Sequence, residues 1–238
     1  MPIIQSFISS TMHWRGGPNR TFIGIENWSR LVSDTHFWSA FGNNIQIMFL
    51  SLLFQVPFAL LLASFLDSSG RNTRIFKVFW FFPYLLSAVA IGILFRFALA
   101  ADAGIITSIS KLMGGESIDL LGDSSRSLYT IIAVVCWQFT PFYMILYLAG
   151  YGTIPVELYE AASIDGASGR QYFWRVSLPL LRPTIISGMI LSIIGSLKYF
   201  DLIWVMTGGM HGTELMGTYM YRVSFTHQNM GYGATIAS

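Results

Sequence analysis

The chain has 238 residues, 53% of them apolar, 16% aromatic and only 11% charged, with 14 basic against 12 acidic side chains. Soluble domains carry about 25% charged residues, so this composition belongs to a membrane-embedded chain. A net charge of +2 without a basic run argues against nucleic-acid binding, and a single cysteine, Cys136, excludes an intrachain disulfide framework or a cysteine-built zinc site.

A bilayer-spanning helix needs about 20 mostly apolar residues. The opening stretch 1–12 is apolar but too short. Runs 45–66, 75–99, 129–151 and 184–206 are long enough, and another apolar run begins at 230–238. The first run ends at Asp67-Ser68-Ser69-Gly70, where Gly70 suits a left-handed terminator. Phe76, Phe79, Trp80, Phe81, Phe82 and Tyr84 at the entry of the second read as an interfacial aromatic belt. Arg96, near its exit, reads as snorkelling to water.

Arg71, Arg74 and Lys77 lie in one short connection, and Arg170, Arg175 and Arg182 in another. The positive-inside rule puts both on the cytoplasmic side. The connection 102–127 and both termini are then on the opposite side.

The third span carries Gln138, Pro141 and Phe142. Pro141 removes the backbone donor that would meet the carbonyl of Trp137. Phe142 lies one turn past Gln138 on the same face. Gly195, Lys198 and Asp201 follow at i, i+3 and i+6 in the fourth span, so Asp201 should offset the charge of Lys198. Ionisable groups within a membrane usually face a cavity or one another.

Between these two spans, residues 154–183 form a polar insert that reads as two short amphipathic helices. Pro155 fits the first helical position. Glu157 and Glu160 favour the positive end of the helix dipole. Val156, Tyr159 and Ala162/Ser163 give one apolar face, and Asp165-Gly166 ends the helix. A second piece holds Tyr172, Phe173 and Val176 and closes at Pro179. The bland alternative is a helix lying on lipid headgroups.

Glu160-Ala161-Ala162, Gly166 four residues on, and Leu178-Pro179 resemble the coupling loop of permeases of ATP-binding-cassette (ABC) importers. Phe22–Trp28, Gly104-Ile105-Ile106, Leu121-Gly122-Asp123, Trp137 with Pro141-Phe142, Phe200–Gly209, Tyr221-Arg222 and Met230–Gly233 are similar, in order, to the carbohydrate-type permeases of binding-protein-dependent importers. The resemblance implies an all-α integral membrane fold and a single transmembrane permease domain over 1–238. Six spans are usual in the family, against four complete ones here; the first and last are expected to be missing, through a fragment or a truncated gene. It implies that Glu160, Ala161, Ala162, Asp165, Gly166, Leu178 and Pro179 couple to an ATPase, and that Gln138, Phe142, Leu191, Gly195 and Lys198 contact a sugar. The partners implied are a second, similar permease subunit, two ATPase chains that bind ATP and magnesium, and an extracytoplasmic solute-binding protein, in a bacterial inner membrane.

The chain has no phosphate-binding loop of the Gly-x4-Gly-Lys-Ser/Thr type, no zinc motif and no Ser/His/Asp set near one depth. Hydrolysis is therefore expected on a separate polypeptide, with no cofactor on this one. An alternative is an ABC permease for another small solute, such as glycerol phosphate or an amino acid. An anion site would favour more than the one inward-facing base that Lys198 offers. A membrane-embedded enzyme for lipid-linked substrates would need a second carboxylate beside Asp201.

Overall fold

The computed structural model describes residues 2–68 and 74–238. Gly70 and Arg71, expected to end the first span and mark a basic connection, lie outside them, as does the side chain of Arg74. Among the described residues the regular elements are helices and one small hairpin. In order, the helices are α1 (Pro2–Ser10), α2 (Glu26–Ser33), α3 (Thr35–Ser68), α4 (Arg74–Leu85), α5 (Ala88–Ala98), α6 (Ile105–Leu112) and α7 (Ser127–Tyr151). They continue with α8 (Val156–Ile164), α9 (Gly169–Tyr172), α10 (Leu178–Leu180), α11 (Arg182–Lys198), α12 (Asp201–Thr207), α13 (Met216–Tyr221) and α14 (Met230–Ala237). Single π-helical turns occupy Phe173–Ser177 and Arg222–Thr226.

Among the described residues two helices, α3 and α7, are long and apolar enough to cross a membrane unaided. α3 begins ten residues before the expected run. Its 34 residues extend about 51 Å at 1.5 Å per residue, well beyond a hydrocarbon core of about 30 Å. The second expected span is not one helix. Pro83 removes a donor near its middle, the Leu86 amide turns back to the Pro83 carbonyl at 3.3 Å, and α5 starts afresh at Ala88. The fourth is likewise divided, with α11 stopping at Lys198 and α12 beginning at Asp201. The possible spans rise to four if each of two bent pairs is one span: Ile75–Leu85 with Ala88–Ala98, bent by 91°, and Gly169–Leu180 with Arg182–Lys198, bent by 68°.

Two compact units emerge. One comprises Met1–Ile47, Ala88–Ile131 and Leu197–Ser238. Within it α1 packs on α14, and α5 on α12. The strands β1 (Met12–Trp14) and β2 (Arg20–Phe22) pair antiparallel with Met12 opposite Phe22. Buried Asn27 on α2 donates from Nδ2 to the carbonyls of Ser10 (2.8 Å) and Met12 (3.2 Å), and the Trp28 indole donates to the Ser10 hydroxyl. The stretch Phe22–Trp28 thus acts locally, tying α2 to α1 and the hairpin.

The other unit comprises Met48–Ser87 and Ile132–Ser196. Its core sets Ala59, Leu60, Ala63 and Leu66 of α3 against Tyr143, Met144, Tyr147 and Tyr151 of α7, with Leu181. Small Ala59 and Ala63 leave room for the tyrosine rings. The aromatic cluster on α4 divides by face. Phe76 and Trp80 pack into this core, Tyr84 stacks on Phe142, and Phe79 and Phe82 point outward. Only the outward half can serve as an interfacial belt.

Candidate functional site

The insert between α7 and α11 is helical, as expected, with adjusted details. Pro155 is the N-cap of α8 rather than its first residue, with φ −58° and ψ 135°. Glu157 lies in the first turn. Glu160 lies beyond it, where the helix dipole has faded, so its carboxylate is free for a role other than stabilising the helix. Asp165 is the C-cap, and Gly166 takes the left-handed φ of +70° that a chain reversal needs. No residue of α8 is buried. Val156, Leu158, Tyr159 and Ile164 (86% exposed) surround it instead of forming one apolar stripe. Glu160, Ala161, Asp165 and Gly166 are exposed and Ala162 half-buried.

The second half of the insert is pinned. Ser168 and Gln171 form a reciprocal cap: the Ser168 amide donates to Gln171 Oε1 at 2.8 Å, and the Gln171 amide to Ser168 Oγ at 3.4 Å. Tyr172 meets Tyr159 edge to face with ring centroids 5.3 Å apart. Ile154, Phe173 and Leu178 pack against the α3–α7 core, so Leu178 anchors the loop. Pro179 is exposed, and the chain bends 68° at Leu181 before α11. An exposed apolar helix is thus mounted on a fixed base.

Of the residues expected to meet cargo, Gln138 and Phe142 sit one turn apart on α7, which runs unbroken through Pro141. Gln138 is 3% exposed, and its Oε1 has no hydrogen-bond partner among the described residues. Phe142 stacks on Tyr84 with centroids 5.3 Å apart and meets Tyr143 edge-on. Leu191, Gly195 and Lys198 follow one another along α11. A Cβ on Gly195 would meet nothing within 4 Å, and Leu191 and Lys198 are exposed. Lys198 falls in the first unit and the other four in the second. Asp201 does not pair with Lys198. The ion pairs among the described residues are Arg126–Asp123 and Arg222–Glu214. The break between the helices removes the expected spacing, and Asp201 instead opens α12, where its charge suits the helix N-terminus.

Two buried groups escaped the sequence reading. Ser51 and Gln55, both fully buried on α3, face the Cys136 thiol of α7 but close no hydrogen bond within the usual distance among the described residues. Their spacing with Ala59 and Ala63 on one stripe was readable: Gln55 interrupts an otherwise apolar face. Within a membrane such groups cost free energy unless a ligand, water or a neighbouring chain satisfies them.

The first unit carries a different constellation. Asp34 accepts from the hydroxyls of both Tyr219 and Tyr232 and from the amides of His36 and Phe37. Burial works to raise its carboxyl, but these donors outweigh burial and hold it below the usual 3.8. Arg30 lies over the Tyr232 ring at 4.3 Å. The turn after α12 is tied down too. Asn43 donates to the Gly212 (2.9 Å) and Glu214 (2.8 Å) carbonyls, while Arg222 reaches the Gly208 carbonyl at 2.8 Å and Glu214 at 3.1 Å. The stretches Phe200–Gly209 and Tyr221-Arg222 are therefore joined through the Arg222 side chain.

Residues 36–238 match the model of the binding-protein-dependent transport system inner membrane component family. The chain belongs to that family of membrane permease components. Among its relatives, the arabinooligosaccharides transport system permease protein AraP of Bacillus subtilis is 32% identical over 99% of this chain and 76% of its own length. The trehalose/maltose transport system permease protein MalF of Thermococcus litoralis is 33% identical over 91% of this chain and 73% of its own. A chain from the crystal structure of a bacterial alginate ABC transporter, in complex with an alginate pentasaccharide-bound periplasmic protein, shares the fold. It superposes with a TM-score of 0.87 at 23% identity, covering 99% of this chain and 81% of that one.

Proposed function

We propose that this chain is one of two permease subunits of an ABC importer in a bacterial inner membrane, where it passes many times through the bilayer and moves a sugar or oligosaccharide. The observation that carries this reading is α8: nine residues, none buried, with Val156, Leu158 and Ile164 left exposed among the described residues. A partner must cover such a helix, and a cytoplasmic ATPase is the partner that would give the rigid base of the insert a purpose. Closure of two ATPase chains on ATP and magnesium would move α8, with Glu160, Ala161, Ala162, Asp165 and Gly166 at the contact and Leu178 and Pro179 transmitting the motion into α11. ATP and magnesium stay on those chains, and this one catalyses no hydrolysis.

Cargo arrives from an extracytoplasmic binding protein and passes Gln138, Phe142, Leu191, Gly195 and Lys198 between this chain and a second, similar subunit. The sugar assignment draws on relatives named for arabinooligosaccharides and trehalose or maltose. It also suits a neutral amide and an aromatic ring in the buried face of α7, since a hydroxyl-rich cargo needs hydrogen-bond partners and a stacking surface. The test is uptake by the four-chain complex in vesicles, driven by ATP and loaded binding protein. Labelled sugars should accumulate, and labelled glycerol phosphate and amino acids should not. The reverse pattern would replace the sugar with another solute.

A further inference from the structure

The second unit holds a cleft of about 460 Å³ at the root of the insert, a size typical of small-molecule sites. The end of α3 contributes Ser64 and Asp67, the end of α7 contributes Tyr151, and the two halves of the insert contribute Tyr159, Tyr172 and Ser177. Two of these groups are buried at its wall. Tyr151 is 5% and Ser177 1% exposed; the Tyr151 hydroxyl faces those of Ser64 and Ser177, yet neither Tyr151 nor Ser177 closes a hydrogen bond within 3.5 Å among the described residues. Ser177 closes the π-helical turn Phe173–Ser177. Such turns are uncommon and often mark functional positions. A buried hydroxyl without a closed hydrogen bond is unfavourable, so a site that keeps two of them has a reason to.

We propose that this cleft binds a neutral polyhydroxylated molecule of mono- to disaccharide size, which rests on the reading of the chain as a sugar permease. The rings of Tyr159 and Tyr172 offer stacking faces. The hydroxyls of Ser64, Tyr151 and Ser177 offer both donors and acceptors, and the Asp67 carboxylate can accept from two adjacent hydroxyls. Among the described residues no basic side chain lines the cleft, which disfavours an anion. The charge of Lys77 acts on Asp67, which reduces its pull on a cation. Because α3 forms one wall and α8 and α9 the other, an occupant ties the insert to the span beside it. Sugar accumulating on that side would thereby hold the coupling helix still and slow further import.

The experiment is thermal melting of the purified four-chain complex with arabinose or maltose added, without binding protein, and choline as a cationic comparison. The sugar should raise the melting temperature by about 5 °C at about 100 times its dissociation constant, and choline should not. Tyr151→Phe and Ser177→Ala should abolish that rise, while Gln138→Ala and Phe142→Ala keep it. Because each of the first two deletes an unpartnered hydroxyl, sugar-free melting should hold or rise. Loss of the rise in Gln138→Ala or Phe142→Ala instead would place the sugar in the transport path and overturn the proposal. A rise with choline would overturn the ligand class. No rise with any sugar, in a complex that imports that sugar from its binding protein, would sink the cleft while leaving the permease reading intact. A complex that neither binds nor imports sugar would sink both.

Discussion

Gly166 sets the end of α8, and replacing it perturbs the insert with little else disturbed. Its φ is +70°, and a Cβ there would meet nothing within 4 Å, so the whole effect of a side chain is backbone strain. For alanine the left-handed conformation costs about 1–2 kcal/mol, enough to shift the intact turn by about 5- to 30-fold. Proline does more harm. It fixes φ near −65° and removes the amide that reaches the Ser163 carbonyl at 3.1 Å, a loss of about 3 kcal/mol. Asparagine tolerates the left-handed region and supplies a graded control. The assay is ATP hydrolysis by the complex in vesicles, with and without loaded binding protein. Basal hydrolysis and membrane insertion should hold, while stimulation falls in the order asparagine, alanine, proline. Full stimulation in the proline variant would refute the view that this turn transmits the ATPase motion.

Three further outcomes follow from the geometry. A Cβ at Gly188 would lie 2.5 Å from the hydroxyl of fully buried Tyr147. Gly188→Leu should therefore force α11 off α7, costing about 1–3 kcal/mol in a melting assay, and an unaltered melting point would contradict that packing. Asp34→Asn probes the tyrosine clamp through pH. The folded carboxyl binds its proton more weakly than the unfolded one, whose usual value is 3.8, so its stabilisation is complete above that value and fades as pH falls through the lower folded value. The variant should flatten the loss of stability below about pH 4, and an identical acid profile would deny the clamp a role. Gln138→Ala and Phe142→Ala should each weaken uptake by about 1–3 kcal/mol with basal hydrolysis unchanged. Uptake at the wild-type rate in both would remove them from the cargo path.

Much of this was readable from spacing and composition, and the departures have physical causes. Runs 45–66 and 129–151 became α3 and α7 because apolar length alone dictates a helix in a bilayer. The run 75–99 has the same composition, but Pro83 and the chain after it break the helix, and a hydropathy window cannot register that. The break after Lys198 carries no such mark. Tyr199 and Phe200 are ordinary in a helix, and the fresh start at Asp201 goes with the packing of α12 on α5, where a Cβ on Gly92 would lie 2.9 Å from Val205 Cγ1. The end of α8 was legible in Asp165-Gly166, and the start of α9 was present but unread in Ser168 and Gln171. Asp34 could not be found from sequence, since its tyrosine partners lie 185 and 198 residues away.

The central claim is that α8 docks on a separate ATPase, and site-directed cross-linking tests it most directly. A photoreactive residue placed in turn at Glu160, Ala161, Ile164 and Gly166 should couple to the ATPase chain within the assembled complex. The product should change with nucleotide state, and a probe on the outward face of α4, at Phe79, should not give it. Cross-links from all four positions to lipid alone, in a complex that still hydrolyses ATP, would show α8 to be a surface-lying helix and remove the basis for coupling through this insert.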